Sequence, residues 1–283
     1  GDLFAEAPAA PTADAAPAAS AAPNPAPASA NYTLIRTQAE LDAWLARLQA
    51  APVVSLDTET TSLDSLRARL VGLSFSLTPG EAAYLPLMHR DAGGLLPDQL
   101  SLDAALATLK PWLENPQAKK LGQNLKYDRH VLANHGVQLA GVVDDTLLAS
   151  YVLESHLTHN MDDLAERHLG VSTVSYEALC GKGAKQIGFD EVDIDAAGHY
   201  AAEDADITLR LAHAFAPQLH GALEDVYRRI ELPTAEVLFA MERTGVLIDR
   251  DELARQSHQL GQRIQQLEAH AYELAGQPFN MNS

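Results

Sequence analysis

The sequence has a single cysteine, Cys180, in 283 residues. No intrachain disulfide can form, and a lone thiol outside any nucleophile motif is expected to be inert and partly buried. No apolar run approaches the roughly 20 residues needed to cross a bilayer. The N-terminus lacks the basic-then-apolar order of a secretion signal. These absences argue against membrane and secreted proteins and fit a reducing cytoplasm. Positive charge is also scarce: 20 Lys and Arg face 38 Asp and Glu, for a formal net charge of -18. Such a chain does not grip nucleic acid through a broad basic surface. It could meet a polyanion only through local cations or through metal ions held by its own acids. No internal repeat is present.

What is present begins with a shift in composition. Residues 1–30 are mostly Ala, Pro, Ser and Asn, with little to bury and too many prolines for a helix. They read as a semi-extended, disordered linker. Because the chain starts at Gly1 with a linker, it reads as a piece of a longer protein. From Asn31 onward the pattern is that of a folded domain. Tyr32–Ile35 reads as a strand, and Thr37 with Glu40 forms a capping box for a helix carrying Leu41, Trp44, Leu45 and Leu48, stopped by Pro52. Segments 53–60, 69–76 and 82–86 read as an antiparallel meander. A helix around Leu102–Trp112 follows, then a short strand at 120–123 leading into a helix through Asn124. From Asp144 on, most segments read as helices, the long ones near 144–154, 190–214, 216–244 and 250–274.

Four acids stand out by context. Asp57 and Glu59 are two apart at the end of a strand, so their side chains share a face while Leu56 and Thr58 take the other. Paired like charges are costly unless neutralised, and a hard divalent cation is the natural partner. Asp128 lies in the first turns of a helix, with Asn124 four residues before it, a spacing that places an amide able to hold a water or a phosphate near the acid. Asp204 has Tyr200 one turn earlier, pairing a metal-binding group with a phenol that can orient water. Each acid alone could be a cap or a solvated charge; the joint pattern favours chemistry.

Other features are weaker. Lys126, Arg129, Lys182 and Lys185 could contact phosphate or simply be solvated. His156 and His159 lack the further ligands of a zinc site. The leucine stripes over 216–270 read as core or interhelical packing. Glu203 and Asp206 flank Asp204 on other faces and read as solvent-facing or salt-bridged.

In order along the chain stand Asp57-Thr-Glu-Thr-Thr-Ser-Leu, Gly122-Gln-Asn-Leu-Lys-Tyr-Asp-Arg and Tyr200-Ala-Ala-Glu-Asp-Ala-Asp. With the intervening Asp162-Asp-Leu-Ala-Glu-Arg and Gly181-Lys-Gly-Ala-Lys-Gln, they resemble the 3′→5′ exonuclease domain of bacterial DNA polymerase I, in the tyrosine branch of the DEDD superfamily. Beyond about residue 220, Ile230-Glu-Leu-Pro-Thr and Glu242-Arg-Thr-Gly-Val-Leu-Ile-Asp resemble the opening helices of the polymerase domain. The resemblance implies three parts: a linker at 1–30, the exonuclease domain at 31–220 and truncated polymerase helices at 221–283. It implies an α/β, ribonuclease H-like fold with a five-stranded mixed sheet flanked by helices.

The resemblance further implies that Asp57, Glu59, Asp128 and Asp204 bind two divalent metals, Mg²⁺ or Mn²⁺, with Zn²⁺ an option at one site. Tyr200 would orient water together with Glu59. Leu63 and Tyr176 would stack on the terminal bases, Tyr176 standing where better-known relatives carry Phe. Thr60, Gln123 and Asn124 would contact the strand. The implied partner is a single-stranded DNA 3′ end, beside the rest of the polymerase chain and no membrane, in the bacterial cytoplasm. Proofreading exonuclease activity in replication and repair is expected, and polymerisation by this piece is not. Two alternatives are a ribonuclease D-like RNA exonuclease and a non-catalytic DNA-holding domain.

Overall fold

The structure, a computed structural model, describes residues 30–281; the reading of residues 1–29 as a linker lies outside them. Two compact units are present, the first running to Phe239 and the second from Ala240.

The first unit is built on strands β1 (Asn31–Leu34), β2 (Val54–Thr60), β3 (Leu70–Thr78), β4 (Glu81–Pro86), β5 (Arg90–Asp91), β6 (Gly94–Leu95), β7 (Lys120–Gly122) and β8 (Val142–Asp145). Its helices are α1 (Gln38–Ala50), α2 (Leu102–Leu113), α3 (Leu125–Asn134), α4 (Thr146–Glu154), α5 (Met161–Leu169), α6 (Tyr176–Cys180), α7 (Ile194–Phe215) and α8 (Ala222–Val226). A π-helical stretch, Tyr227–Glu231, leads into α9 (Leu232–Thr244), which runs from the first unit into the second; the second unit also holds α10 (Arg250–Ala275).

The main sheet is mixed, in the order β1-β4-β3-β2-β7-β8. The meander β2–β3–β4 is antiparallel, while β1 pairs β4, β7 pairs β2 and β8 pairs β7 in parallel. The sheet has six strands, one more than the resemblance implies. Strand β8 is a strand the sequence reading did not name: only four residues long, it passes into α4 with no glycine or proline between them. A small hairpin, β5–β6, lies apart from the sheet.

The period-two pattern of the strands sorts the two faces. Leu56 of β2, Leu73 and Phe75 of β3, and Ala83 and Leu85 of β4 turn to one side. There they form the main core with Leu41, Trp44 and Leu48 of α1, with Leu106, Leu109 and Trp112 of α2, and with Val131 and Leu132 of α3. The capping box of Thr37 and Glu40 starts α1 as its sequence indicates. On the other face lies α7, whose Ala197, Gly198, Ala201, Ala202 and Ala205 are all buried. Small residues let this helix sit close to the sheet: a Cβ on Gly198 would come within 2.3 Å of Leu34. A smaller core of Val71, Tyr84, Phe189 and Val192 with Ala197 and Ala201 fills this side.

The stretch 216–244, expected as one helix, is broken. Gly221 takes a left-handed φ of 59°, and α8, the π-helical turn and α9 follow. Asp206 is not at the surface. It is fully buried and accepts hydrogen bonds from Tyr32 Oη (3.0 Å) and Gly80 N (2.7 Å), with Arg210 at 4.0 Å. Its side chain ties β1 and the β3–β4 turn to α7. In α10, Leu253, Leu260, Ile264 and Leu267 are exposed rather than packed. Among the described residues, no helix is long and apolar enough to cross a membrane.

Candidate active site

Asp57 and Glu59 emerge from β2 on the face turned to α7, as their spacing indicates, and Asp204 descends from α7 to meet them. One carboxylate oxygen from each lies within 4.8 Å of the other two. Burial drives all three carboxyls upward in pKa: Asp57 is raised to about 7, and Glu59 and Asp204 stand well above the usual carboxylate range. Mutual repulsion adds to this, with Asp57 and Asp204 acting on Glu59 and Asp57 acting on Asp204. Glu59 Oε1 is buried without a hydrogen-bond partner. A buried carboxylate oxygen with no donor is costly, and a cluster of hard oxygen donors is the ligand set that Mg²⁺ and Mn²⁺ prefer. The residues present therefore fit a divalent cation.

Asp128 reaches the same region from the opposite side. Strand β7 pairs only with Val54 and Ser55 of β2, so the β2 edge beyond them has no strand partner on that side. Asp128 Oδ1 takes that edge, accepting from Thr58 N (3.1 Å) and Thr58 Oγ1 (2.5 Å). Thr58 does point away from Asp57 and Glu59, as the alternation requires, yet it serves the site by fixing Asp128. Asp128 is buried and its carboxyl is also raised, first by burial and then by Asp57. It stands beside the three-carboxylate grouping rather than within it.

Tyr200 is half-buried on α7, one turn before Asp204. Its hydroxyl stands close to Asp204, and burial first, then the Asp204, Glu59 and Asp57 charges, drive its pKa up. Without cations at the carboxylates it is therefore held as the neutral phenol. Phe189 packs against its ring at 5.9 Å between centroids.

An open cleft of about 780 Å³ runs from this cluster, within the size range of small-ligand sites. Asp57, Glu59, Asp204 and Tyr200 line one part, and Leu63, Tyr176 and Lys182 line another. Leu63 is 98% exposed, an unusual state for a leucine, and Tyr176 is 40% exposed. Both offer apolar surface to the cleft. The Tyr176 hydroxyl stands near Cys180 and Gln186, and its pKa is pushed up to about 12, first by burial. Cys180 is a buried free thiol. A β-bulge between Glu59 and Thr60 turns Thr60 toward Tyr127, whose hydroxyl lies 2.5 Å from Thr60 Oγ1 and donates to Ser62 O at 2.5 Å. The sequence reading did not single out Tyr127 or Thr58, although both stand inside the motifs it quoted.

The remaining expected residues are placed as follows. Asn124 is not on the face of α3: it is the residue before the helix, exposed, with a left-handed φ of 62° and no side-chain cap. Gln123 is occupied at both ends, donating to His159 O at 3.2 Å and accepting from Thr146 Oγ1. Lys182 lies at the cleft and pairs with Glu177 at 3.0 Å. Arg129 is paired with Glu236 and covers the Phe239 ring. His159 is buried, 2.9 Å from Ser150 Oγ and stacked on Tyr151, a structural arrangement.

Comparison with known proteins gives a consistent result. The 3'-5' exonuclease family matches residues 32–220. DNA polymerase I of Pseudomonas aeruginosa is 48% identical over 264 residues, covering 92% of this chain and 29% of that protein. DNA polymerase I of Rhizobium leguminosarum is 43% identical over 269 residues, covering 89% and 26%. The chain thus spans less than a third of the length of either relative. Among solved structures, the POL domain of Pol1 from M. smegmatis, in complex with DNA primer-template and dNTP, aligns with a TM-score of 0.64 at 23% identity, covering 89% of this chain and 39% of that one. RNase D of Trypanosoma brucei aligns at 0.56 with 16% identity, covering 72% and 71%. At these identities the two structures bear on the ribonuclease H-like fold alone.

Proposed function

This chain belongs to the 3′-5′ exonuclease family, and from that premise we propose that it hydrolyses the terminal phosphodiester of a single-stranded DNA 3′ end, releasing nucleoside 5′-monophosphates, as the proofreading module of a DNA polymerase I. The observation that carries this reading is the meeting of Asp57, Glu59 and Asp204, three carboxylates from two distant segments, in a cleft rimmed by exposed Leu63 and Tyr176. Residues 31–220 would form the exonuclease domain and 221–283 the opening helices of a polymerase domain, with residues 1–30 linking to a part upstream. The motif order and Tyr200 support reading the module as one of the tyrosine branch of the DEDD exonucleases.

Asp57, Glu59 and Asp204 would hold one divalent ion, and Asp57 with Asp128 a second. Such ions supply charge neutralisation at the phosphate and a more acidic water. The protein's own groups do the rest. Leu63 and Tyr176 hold the terminal bases by stacking, which tolerates any sequence. Gln123, Asn124 and Thr60 keep the strand end in register. The Tyr200 hydroxyl, protonated and beside Asp204, orients the attacking water, and Glu59 Oε1 receives that water's proton. The water oxygen bonds to phosphorus, the bond from phosphorus to the 3′ oxygen breaks, and that oxygen takes a proton from bulk water to become the new 3′ hydroxyl.

DNA is favoured over RNA as substrate by the identity to DNA polymerase I; the ribonuclease D likeness is one of fold only. The test is digestion of end-labelled single-stranded DNA and RNA with and without Mg²⁺. Mg²⁺-dependent release of deoxynucleoside 5′-monophosphates is expected, with RNA cut more slowly. The Asp204→Ala variant should fold normally and lose activity by roughly a thousandfold or more. Undiminished cleavage by that variant would overturn the assignment.

A further inference from the structure

Tyr227 lies outside the stretch 32–220 that matches the exonuclease family, yet its side chain is entirely buried in the first unit, among Ala149, Leu211 and Phe215. It opens the π-helical stretch Tyr227–Glu231. Such wide turns are rare and recur at functional places, where they re-aim the side chains that follow. Its hydroxyl accepts from the backbone N–H of Asp145 at 2.7 Å and has Asp144 Oδ1 and Asp145 O, each at 3.2 Å, as acceptors. The next residue, Arg228, donates to Val143 O at 2.7 Å and to Asp144 Oδ1 at 2.8 Å. Together the two side chains clamp the end of β8.

The clamp ends at Asp145, whose carboxylate has a second task. Besides capping α4, it receives the N–H of Asn124 on Oδ1 (3.0 Å) and the N–H of Leu125 on Oδ2 (2.8 Å). Asn124 is the only non-glycine with a positive φ among the described residues. A left-handed backbone costs an ordinary L residue on the order of 1 kcal/mol and persists only when its surroundings hold it. Asp145 is what holds it. That backbone turn sets the direction of Asn124, the exposed amide expected to meet the DNA strand end.

We propose that Tyr227, with Arg228, is a positioning residue for the strand-end contacts. It holds Asp145, Asp145 holds Asn124 in its left-handed turn, and the segment following the exonuclease module thereby sets how well that module grips a 3′ end. The proposal rests on the exonuclease reading above. Asp128 is fixed separately by Thr58, so the effect falls on substrate binding more than on the chemical step.

The test is steady-state cleavage of end-labelled single-stranded DNA by the whole chain, with wild type, Tyr227→Phe, Asp145→Asn and the double variant. Tyr227→Phe keeps the ring and removes only the hydroxyl. Its KM is expected to rise roughly tenfold, the scale on which small misplacements act, with kcat within about twofold of wild type. Asp145→Asn should raise KM likewise, and the double variant should be no worse than Asp145→Asn alone, because the two act through one path. Arg228→Ala, at an exposed side chain, should give a smaller rise in the same direction and serves if Tyr227→Phe fails to fold. An unchanged KM in either single variant, or losses that multiply in the double variant, would overturn the proposal. An inactive wild type would instead remove the exonuclease reading itself.

Discussion

At the scale of single residues, the site is built from carboxyls held above their ordinary titration range. Asp57 is raised from the usual value to about 7 by burial, and Glu59, Asp128 and Asp204 are raised as well. In an unfolded chain these groups ionise near pH 4. Between about 4 and 7 the folded, metal-free protein therefore binds more protons than the unfolded one, and its stability falls as pH rises through that window. Divalent ions should reverse the loss, since they displace the same protons. Thermal melts in chelator at pH 5 and pH 7.5 check this. Asp57→Asn is expected to gain stability relative to wild type as pH rises, and Mg²⁺ should raise the wild-type Tm more at pH 7.5 than at pH 5. A wild type no less stable than Asp57→Asn at the higher pH would count against the clustered-acid picture. The acids themselves were legible in the sequence, because a two-residue strand spacing and a four-residue helix spacing each fix a shared face. The role of Thr58 was not. Alternation alone sends it to the far face, and only the shortness of β7 shows that a bare strand edge awaits a partner there.

Elements carry these side chains to one place, and α7 does most to bring them together. Its row of alanines and Gly198 allows it to lie against the sheet, so that Asp204 reaches Asp57 and Glu59 across the interface. Asp206, two residues on, fastens the same helix to the edge of the sheet through Tyr32 and Gly80. Removing its carboxylate leaves a phenol and a backbone N–H with no acceptor. Asp206→Ala is expected to cost about 2–4 kcal/mol on unfolding in denaturant, while the folded fraction keeps its cleavage rate within a small factor. A change below about 0.5 kcal/mol would show that the brace is dispensable. Sequence periodicity gave α1, α2, α7, α10 and the β2–β4 meander close to their true limits. It passed over β8, which is too short to show a period of its own. It also ran one helix through 216–244, because the apolar spacing continues across Gly221 and the π-helical turn. Spacing along one helix leaves Asp206 either solvent-facing or salt-bridged; it allows for Arg210 one turn on, at 4.0 Å, but carries no information about Tyr32 and Gly80, which are distant in sequence.

Across the whole molecule, the proposed function asks an acidic protein to meet an acidic polymer. A net charge of -18 leaves little general attraction for DNA, so under the proposed function the grip would be local: stacking at Leu63 and Tyr176, the amide of Asn124, and cations gathered by the carboxylates. This is why the composition, unfavourable at first sight for a nuclease, agrees with the site. The family was legible from three motifs in order, and the match over residues 32–220 bears it out. The cleft that unites them depends on the path of the chain between the motifs, which the motifs do not describe. The proposed chemistry requires Asp57, Glu59 and Asp204 to hold a divalent ion. The most direct measurement is a Mn²⁺ titration of the metal-free protein, followed by calorimetry or by the paramagnetic signal of the free ion, with Asp57→Asn alongside. Saturable binding by wild type, with a second ion per chain at higher concentration, and its loss in Asp57→Asn are expected. Absence of binding in wild type, or binding that survives the substitution undiminished, would contradict it.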